Sequence, residues 1–105
     1  MIVSEVTVND IVKYCRIAEP TTDDTAFLTQ ALSVSKAFIK NYTGLDNTQV
    51  DAHEDFVIVV YVLCQDMYDN RTLYVDESNL NNVVDTILGF HRVNLLWKTQ
   101  EFITD

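Results

Sequence analysis

The sequence is poor in the residues that mark turns, with only two glycines and one proline among 105 residues. Such a chain favours helices over a β-sandwich, which needs many turns. Its longest apolar run, Phe56 to Cys64, has nine residues, whereas a membrane span requires about 20. The first ten residues lack a basic segment followed by an apolar one, so we expect no signal peptide and no membrane partner.

Cysteine and positive charge are also scarce. Cys15 and Cys64 are the two cysteines, both in apolar surroundings, and we expect two reduced thiols in the core of a cytoplasmic protein. Seven Lys and Arg residues stand against sixteen Asp and Glu, for a formal net charge of −9. A protein that binds DNA or RNA by itself needs a basic surface. The scattered cations do not form one, and the acidic charge would also keep the protein soluble.

The remaining composition is that of a folded domain. Hydrophobic residues make up 48% of the chain and charged residues 22%, as in globular proteins. A chain of 12.0 kDa is long enough for one modest hydrophobic core. We therefore predict a single helical domain over residues 1–105, without internal repeats.

Two capped helices are predicted in the first half of the chain. The first begins after Thr7, a good N-cap residue, has Asp10 in its first turn and runs for about three turns. The second begins at Thr21 or Thr22 and ends at Gly44. Its apolar stripe follows helical spacing and comprises Phe27, Leu28, Ala31, Leu32, Ser35, Phe38, Ile39 and Tyr42.

A third helix is predicted after a loop over residues 45–50. It starts between Asp51 and Asp55 and runs to Asn70. Five of its residues are β-branched, so a strand is a rival interpretation for the stretch from Val57 to Val62. Roughly twenty residues without a helix breaker exceed the usual strand length, which favours a helix. Because apolar residues lie on nearly all its sides, we expect it to be the central helix of the bundle.

A fourth helix, ended by Gly89, completes the predicted fold. Its apolar face comprises Leu80, Val83, Val84, Ile87 and Leu88. The predicted fold class is therefore all-α, a small bundle of four main helices with a central apolar helix and an irregular C-terminal tail. The tail, residues 94–105, has no helical period, and we expect it to act as an assembly arm. Its candidate contacts are Leu95, Leu96, Trp97 and Phe102.

Candidate catalytic and metal-binding residues are few. The segment DAHED, Asp51 to Asp55, combines one histidine with three acidic residues. However, Asp51, His53 and Glu54 do not share a helix face, as a metal site would require, and acid is common where helices begin. Neither cysteine lies in a recognisable nucleophile signature. We therefore predict no enzyme activity, no cofactor and no metal.

The segment MYDNRTLYV, Met67 to Val75, follows the most apolar run in the chain. Helical spacing places Arg71 beside the ring of Tyr68, at the end of the apolar face. An arginine in this position can bind the last carbonyls of the helix, stack on tyrosine and pair with an acid of another helix. We therefore predict that this segment ends the helix and holds a neighbouring helix in place.

Several short motifs, in this order, resemble the phage head–tail connector, or head-completion adaptor, family. They are TVNDIVKYCRI, DDTAFLTQALSVSKAFIKNYTG, an apolar helix that ends in YDNR, and NLNNVVDTILGFHRV, which together span about residues 5–93. Their order and spacing are more specific than any single motif. Cys15 stands where the family usually has leucine, and the tail after Val93 is not matched. The family positions in this chain are Tyr42, Thr43, Gly44, Tyr68, Asn70 and Arg71.

The resemblance implies a structural protein of a tailed phage or prophage. Such a protein forms a homo-oligomeric ring beneath the portal, joins the DNA-filled head to the tail and lines the DNA exit channel. Its expected partners are the portal protein and the neighbouring head–tail joining proteins, and DNA would pass through without specific binding. The expected location is the head–tail interface of the virion, and the host cytoplasm during assembly. The resemblance implies no catalysis and no cofactor.

Two other classes of function remain open from the residues themselves. The first is an acidic regulator or DNA mimic that binds and inhibits a nucleic-acid-binding partner. It would need carboxylates in a row that imitates phosphates, which the scattered acids do not indicate. The second is an unrecognised hydrolase, for which DAHED is the one candidate segment.

Overall fold

A computed structural model describes residues 1–91 of the chain, apart from the side chains of Ser78, Phe90 and His91. Four of its α-helices have seven residues or more, and the described residues contain no strand, so the predicted all-α bundle is confirmed. The tail residues 94–105 lie outside the described residues. The helices are α1 (Val8–Tyr14), α2 (Thr22–Thr43), α3 (Asn47–Asp51), α4 (Phe56–Asn70) and α5 (Asn82–His91), with 3₁₀ turns at Val3–Glu5 and Glu77–Asn79.

The two predicted N-caps are confirmed, and both are capping boxes. At α1, the Thr7 hydroxyl accepts from the Asp10 N–H, and the Asp10 carboxylate accepts from the Thr7 N–H at 2.9 Å. At α2, the same pair of bonds joins Thr21 and Asp24, each at 3.0 Å. Thr21, rather than Thr22, is therefore the cap residue. Each cap stabilises its helix by about 1 kcal/mol, since it satisfies N–H groups that have no partner within the helix.

The predicted loop over residues 45–50 is wrong for most of its length, because α3 begins at Asn47. Asp46 caps this short helix: its carboxylate accepts from the Gln49 N–H at 2.8 Å, and the Gln49 amide oxygen accepts from the Asp46 N–H at 3.0 Å. The two hydrogen bonds between Asp46 and Gln49 can start a helical turn without any apolar periodicity. For this reason the hydrophobic pattern did not reveal α3. The central helix consequently begins at Phe56 instead of between Asp51 and Asp55.

The fourth predicted helix exists as α5, but three of its details differ. Leu80, predicted on its apolar face, precedes α5, which begins at Asn82. Gly89 lies within α5, which continues to His91. An interior glycine costs a helix only about 1 kcal/mol relative to alanine, so it does not by itself end one. Val83, predicted on the apolar face, is 48% exposed, whereas Val84 and Leu88 are fully buried.

Helix α4 is the central element, in contact with α1, α2 and α5. It runs antiparallel to α2, since Ser35 of α2 meets Cys64 while Asp24, earlier in α2, meets Tyr68. One side of α4 is open: Ile58 is 49% exposed. The expected central position of α4 is confirmed. Although apolar residues lie on nearly all sides of this helix, one of its sides is not buried. The buried side of α4 comprises Phe56, Val57, Val59, Val60, Leu63, Cys64 and Met67.

Candidate functional site

Helix α4 ends at an arginine that adopts the left-handed backbone conformation. Arg71 has a φ of 54°, a conformation that costs a non-glycine residue about 1 kcal/mol. Its N–H donates to the Tyr68 carbonyl at 3.3 Å, and the Thr72 N–H donates to the Met67 carbonyl at 3.1 Å. These two bonds form a Schellman motif, which usually has glycine at the position of Arg71. The arginine side chain therefore has to be explained by its own contacts.

The side chain of Arg71 joins α4 to the first turn of α2. Its guanidinium carbon lies 4.1 Å from the centre of the Tyr68 ring, in the range of a cation–π contact. Its Nη1 lies 3.7 Å from Oδ1 of Asp24. Arg71 thus both ends its own helix and pairs with an acid of another helix, as the sequence predicted.

Tyr68 makes a second connection between the same two helices. Its hydroxyl donates to Oδ1 of Asp24 at 3.0 Å. Its ring packs edge-on against Phe27, with the ring centres 6.2 Å apart and the planes at 70°. Because Phe27 lies one turn after Asp24 on α2, Tyr68 contacts α2 through both its polar and its apolar end.

Asp24 is the residue that both Tyr68 and Arg71 contact through polar groups. Its carboxylate accepts from the Thr21 N–H and the Tyr68 hydroxyl and faces Arg71, while its side chain is only 16% exposed. The Thr21 N–H first, and then Tyr68 and Arg71, hold the pKa of Asp24 below its ordinary value. Asp24 is therefore ionised at neutral pH. We call Asp24, Tyr68 and Arg71 the helix-end cluster.

Arg71 is the accessible member of the helix-end cluster, with 60% of its side chain exposed. A guanidinium has five N–H donors in a planar fork, and one ion pair at 3.7 Å occupies only part of them. The remaining donors suit a carboxylate or a backbone carbonyl of another protein. Arg71 is thus a cation held in a fixed position, and it can bind a carboxylate or a carbonyl group of another protein.

The other positions that carry the resemblance also lie at helix ends. The Asn70 side chain donates to the Asp66 carbonyl at 2.8 Å, in the last turn of α4. Tyr42 stacks on Phe38, with ring centres 5.4 Å apart. Thr43 is fully buried, and its hydroxyl donates to the Ile39 carbonyl at 2.6 Å. Gly44, at φ 75°, ends α2 in the left-handed conformation.

The structure does not bring the two groups of family positions together. Since α2 and α4 are antiparallel, the element Tyr42–Thr43–Gly44 lies at the opposite end of the helix pair from the helix-end cluster. What the two elements share is local geometry, since each ends a helix with a left-handed residue. The candidate contacts Leu95, Leu96, Trp97 and Phe102 lie outside the described residues.

The segment DAHED has structural contacts instead of a ligand arrangement. The Asp51 carboxylate accepts from the Ser4 N–H at 3.0 Å and from the Ser4 hydroxyl, which ties the N-terminal 3₁₀ turn to α3. The His53 ring packs against Phe56, with ring centres 5.3 Å apart. Among the side chains that the structure describes, no three of His, Cys, Asp or Glu come together as metal ligands do.

The two cysteines differ in burial. Cys64 is fully buried, and its sulfur lies 3.4 Å from the Ser35 hydroxyl. Burial raises the pKa of this thiol to about 11, so it is protonated at neutral pH and a poor nucleophile. Cys15 is half-buried, and burial, followed by the charge of Asp69, raises its pKa. Both thiols are free.

A groove between α4 and the following loop was missed by the sequence patterns. Asp66 contributes an acidic wall, and burial, followed by the charge of Asp69, raises its pKa. A run of Asn and Asp between two helices is the one sequence signal for this loop, and it indicates turns rather than a groove. The lining residues include Leu63, Asp66, Met67, Asn70, Val75, Asp76 and Leu80.

Comparison with known proteins gives no match: no family model, no curated protein and no solved structure is similar to this chain. Nor is any helix within residues 1–91 long and apolar enough to cross a membrane. A functional conclusion therefore depends on the chain's own motifs and on the geometry of the described residues.

Proposed function

We propose that this protein is a head–tail connector of a tailed phage or prophage, assembled as a ring beneath the portal. The observation that carries the proposal is the order and spacing of the short motifs, from TVNDIVKYCRI to NLNNVVDTILGFHRV. An accidental match to one such motif is common, but four in one order over about ninety residues are more specific. The function is structural: the ring joins the DNA-filled head to the tail.

The observed fold agrees with what this function requires. The resemblance implies a small helical protein, and the described residues form an all-α bundle. The positions Tyr42–Thr43–Gly44 and Tyr68–Asp69–Asn70–Arg71 are the ends of α2 and α4, and Gly44, Asp69, Asn70 and Arg71 among them are exposed. An adaptor contacts neighbours above, below and beside itself, and helix ends with a fixed geometry can provide such contacts.

Arg71 is suited to a contact with the portal or a neighbouring subunit. Its backbone is held in a conformation that glycine would adopt at no cost, and its side chain is 60% exposed. Strain of this kind persists where the surrounding structure determines it, and it often accompanies function. Tyr68 and Asp24 orient the guanidinium, so little side-chain entropy is lost when a partner binds it.

The charge of the chain fits a DNA conduit. Two of the seven basic and two of the sixteen acidic residues lie beyond residue 91, so residues 1–91 carry the full net charge of −9. Basic residues on a channel wall would bind phosphates and slow the passage of the genome. An acidic wall repels the duplex, within a screening distance of about 8 Å at physiological salt, and leaves no deep binding minimum.

Electron microscopy of the protein incubated with the purified portal ring of the same phage tests the proposal. We expect a ring of added density on one end of the portal for the wild type. Arg71→Glu should weaken this binding, whereas Lys40→Ala, which removes a cation at the far end of α2, should not. If wild-type protein adds no density to the portal at saturating concentration, the connector function is refuted.

A further inference from the structure

Exposed and partly buried apolar side chains lie on the open side of α4, where the Tyr61 hydroxyl also donates to the sulfur of Met1 at 3.7 Å. Ile58 is 49% exposed and Tyr14 of α1 is 40% exposed. The rings of Tyr14 and Tyr61 pack together with centres 5.0 Å apart, and Ile58, Tyr61 and Val62 are neighbours at helical spacings of three and four. We call Tyr14, Ile58, Tyr61 and Val62 the open α4 face. Such a group of apolar side chains on one surface is a candidate contact site.

The surroundings of the open α4 face are acidic. Asp10 lies one turn before Tyr14 on α1, and the Tyr14 ring packs on the ring of Tyr61. Asp69 lies two turns beyond Val62 on α4, towards the other end of the face. Lys13 offsets part of the charge of Asp10. The face is therefore apolar in its centre and has an acid towards each end.

The C-terminal segment of the chain has the complementary composition. Residues 92–105 contain two cations, Arg92 and Lys98, on either side of the apolar triplet Leu95–Leu96–Trp97. The segment has no net charge, whereas the rest of the chain carries −9. Fourteen residues can extend to about 45 Å, roughly twice the length of α4, which is about 22 Å. The segment is therefore long enough to reach the α4 of an adjacent molecule.

We infer that residues 92–105 of one copy bind the open α4 face of a neighbouring copy. Leu95, Leu96 and Trp97 cover Ile58 and the tyrosine pair, and Arg92 and Lys98 lie towards the acids at its ends. The contact is heterologous, because the segment and the face are different surfaces, and heterologous contacts build rings when the rotation between neighbouring copies closes. The inference rests on the proposed function in one respect: it assumes that copies of this chain assemble head to tail.

A mixing experiment between two full-length variants tests this contact. The face variant, Ile58→Glu, keeps its tail but has a charge in the centre of the face. The tail variant, with Leu95→Ser, Leu96→Ser and Trp97→Ser, keeps the face and contains no tryptophan. Because Trp97 is the one tryptophan of the chain, fluorescence of a mixture reports only on the tail of the face variant. We expect its emission to shift to shorter wavelength and saturate as the tail variant is added, at micromolar concentrations typical of a small contact.

The controls decide between this contact and its alternatives. Adding Ile58→Glu to the tail variant should abolish the shift, whereas adding Ala37→Glu, an exposed site on α2, should leave it unchanged. The inference is overturned if the Trp97 emission shows no saturable shift on mixing. It is also overturned if the shift is equally large when both partners carry Ile58→Glu. It is also overturned if the tail variant loses its cooperative thermal transition by circular dichroism, because the segment would then belong to the chain's own core.

The wild-type protein supplies one more decisive measurement. If the segment binds its neighbour, Trp97 emission should move to longer wavelength as wild-type protein is diluted. Emission that is independent of concentration and shifts only in the Ile58→Glu variant would mean that each chain covers its own face, and the inference would fail. None of these measurements uses a portal, so the contact and the connector function can fail separately.

Discussion

Substitutions of Arg71 can separate two effects on the free energy of unfolding: the cost of its left-handed backbone and the gain from its side-chain contacts. In the structure the residue has a φ of 54°, contacts the Tyr68 ring at 4.1 Å and pairs with Asp24 at 3.7 Å. Alanine removes both side-chain contacts and keeps the strained backbone. Glycine removes the same contacts and relieves the strain. Lysine retains the charge and loses the planar group that stacks on tyrosine.

The expected magnitudes follow from the exposure of the site. A cation–π contact at an exposed position contributes about 0.5–1 kcal/mol, and an ion pair with a largely exposed arginine contributes less than about 1 kcal/mol. Arg71→Ala should therefore lower the free energy of unfolding by about 1–2 kcal/mol. Arg71→Gly should regain about 1 kcal/mol of this through the relaxed backbone. Arg71→Lys should lie between the wild type and Arg71→Ala.

Urea unfolding followed by circular dichroism measures these differences, provided that the slope with denaturant is the same for all variants. In a domain of this size, 1 kcal/mol corresponds to a shift in Tm of about 4–8 °C, which is readily resolved. Equal midpoints for the alanine and glycine variants would refute the backbone argument. A wild-type midpoint for Arg71→Ala, combined with lost portal binding, would show that Arg71 contributes to assembly and not to the fold.

Three further predictions concern charge and reactivity. Because the folded pKa of Asp24 lies below its ordinary value of 3.8, its ionised form stabilises the fold above that pH, and this contribution is lost as the pH falls through the lowered pKa. Asp24→Asn should accordingly be less stable than the wild type in urea at pH 7, with the difference shrinking as the pH is lowered below 3.8; a difference independent of pH would contradict this. In the native protein at pH 8, an alkylating reagent should modify Cys15 faster than the buried Cys64, as peptide mass spectrometry can measure, and equal rates would contradict the observed packing. The isolated protein should not bind duplex DNA at physiological ionic strength, and micromolar affinity in a fluorescence-anisotropy titration would refute the conduit interpretation.

The local features of the fold were predictable because they depend on residues close in sequence. The capping boxes of Thr7 with Asp10 and Thr21 with Asp24 each join residues three apart. Gly44 ends α2 because it adopts φ 75° without steric cost. The same reasoning failed at Gly89, because a glycine is compatible with both the interior and the end of a helix. Only the path of the following residues distinguishes the two, and a residue pattern does not determine that path.

Patterns of apolar residues indicated which segments pack, but not which of their sides is left open. Ile58 and Val59 are adjacent and chemically alike, yet one is half exposed and the other fully buried. Their difference is set by where α1, α2 and α5 lie around α4. Similarly, nothing in DAHED indicates that Asp51 accepts hydrogen bonds from Ser4, which is 47 residues away.

The sequence by itself thus determined the helical class, the N-cap of α1, that of α2 to within one residue, and the expectation that Arg71 ends α4 and pairs with an acid. These follow from short-range hydrogen bonds and from helical spacing, which act within a few residues. Only the tertiary structure decided that the acid is Asp24, that Tyr68 binds the same carboxylate, and that one side of α4 is open. Partners this far apart in sequence meet only when the antiparallel packing of α2 on α4 sets their register, and that register results from the shapes of all the buried side chains together.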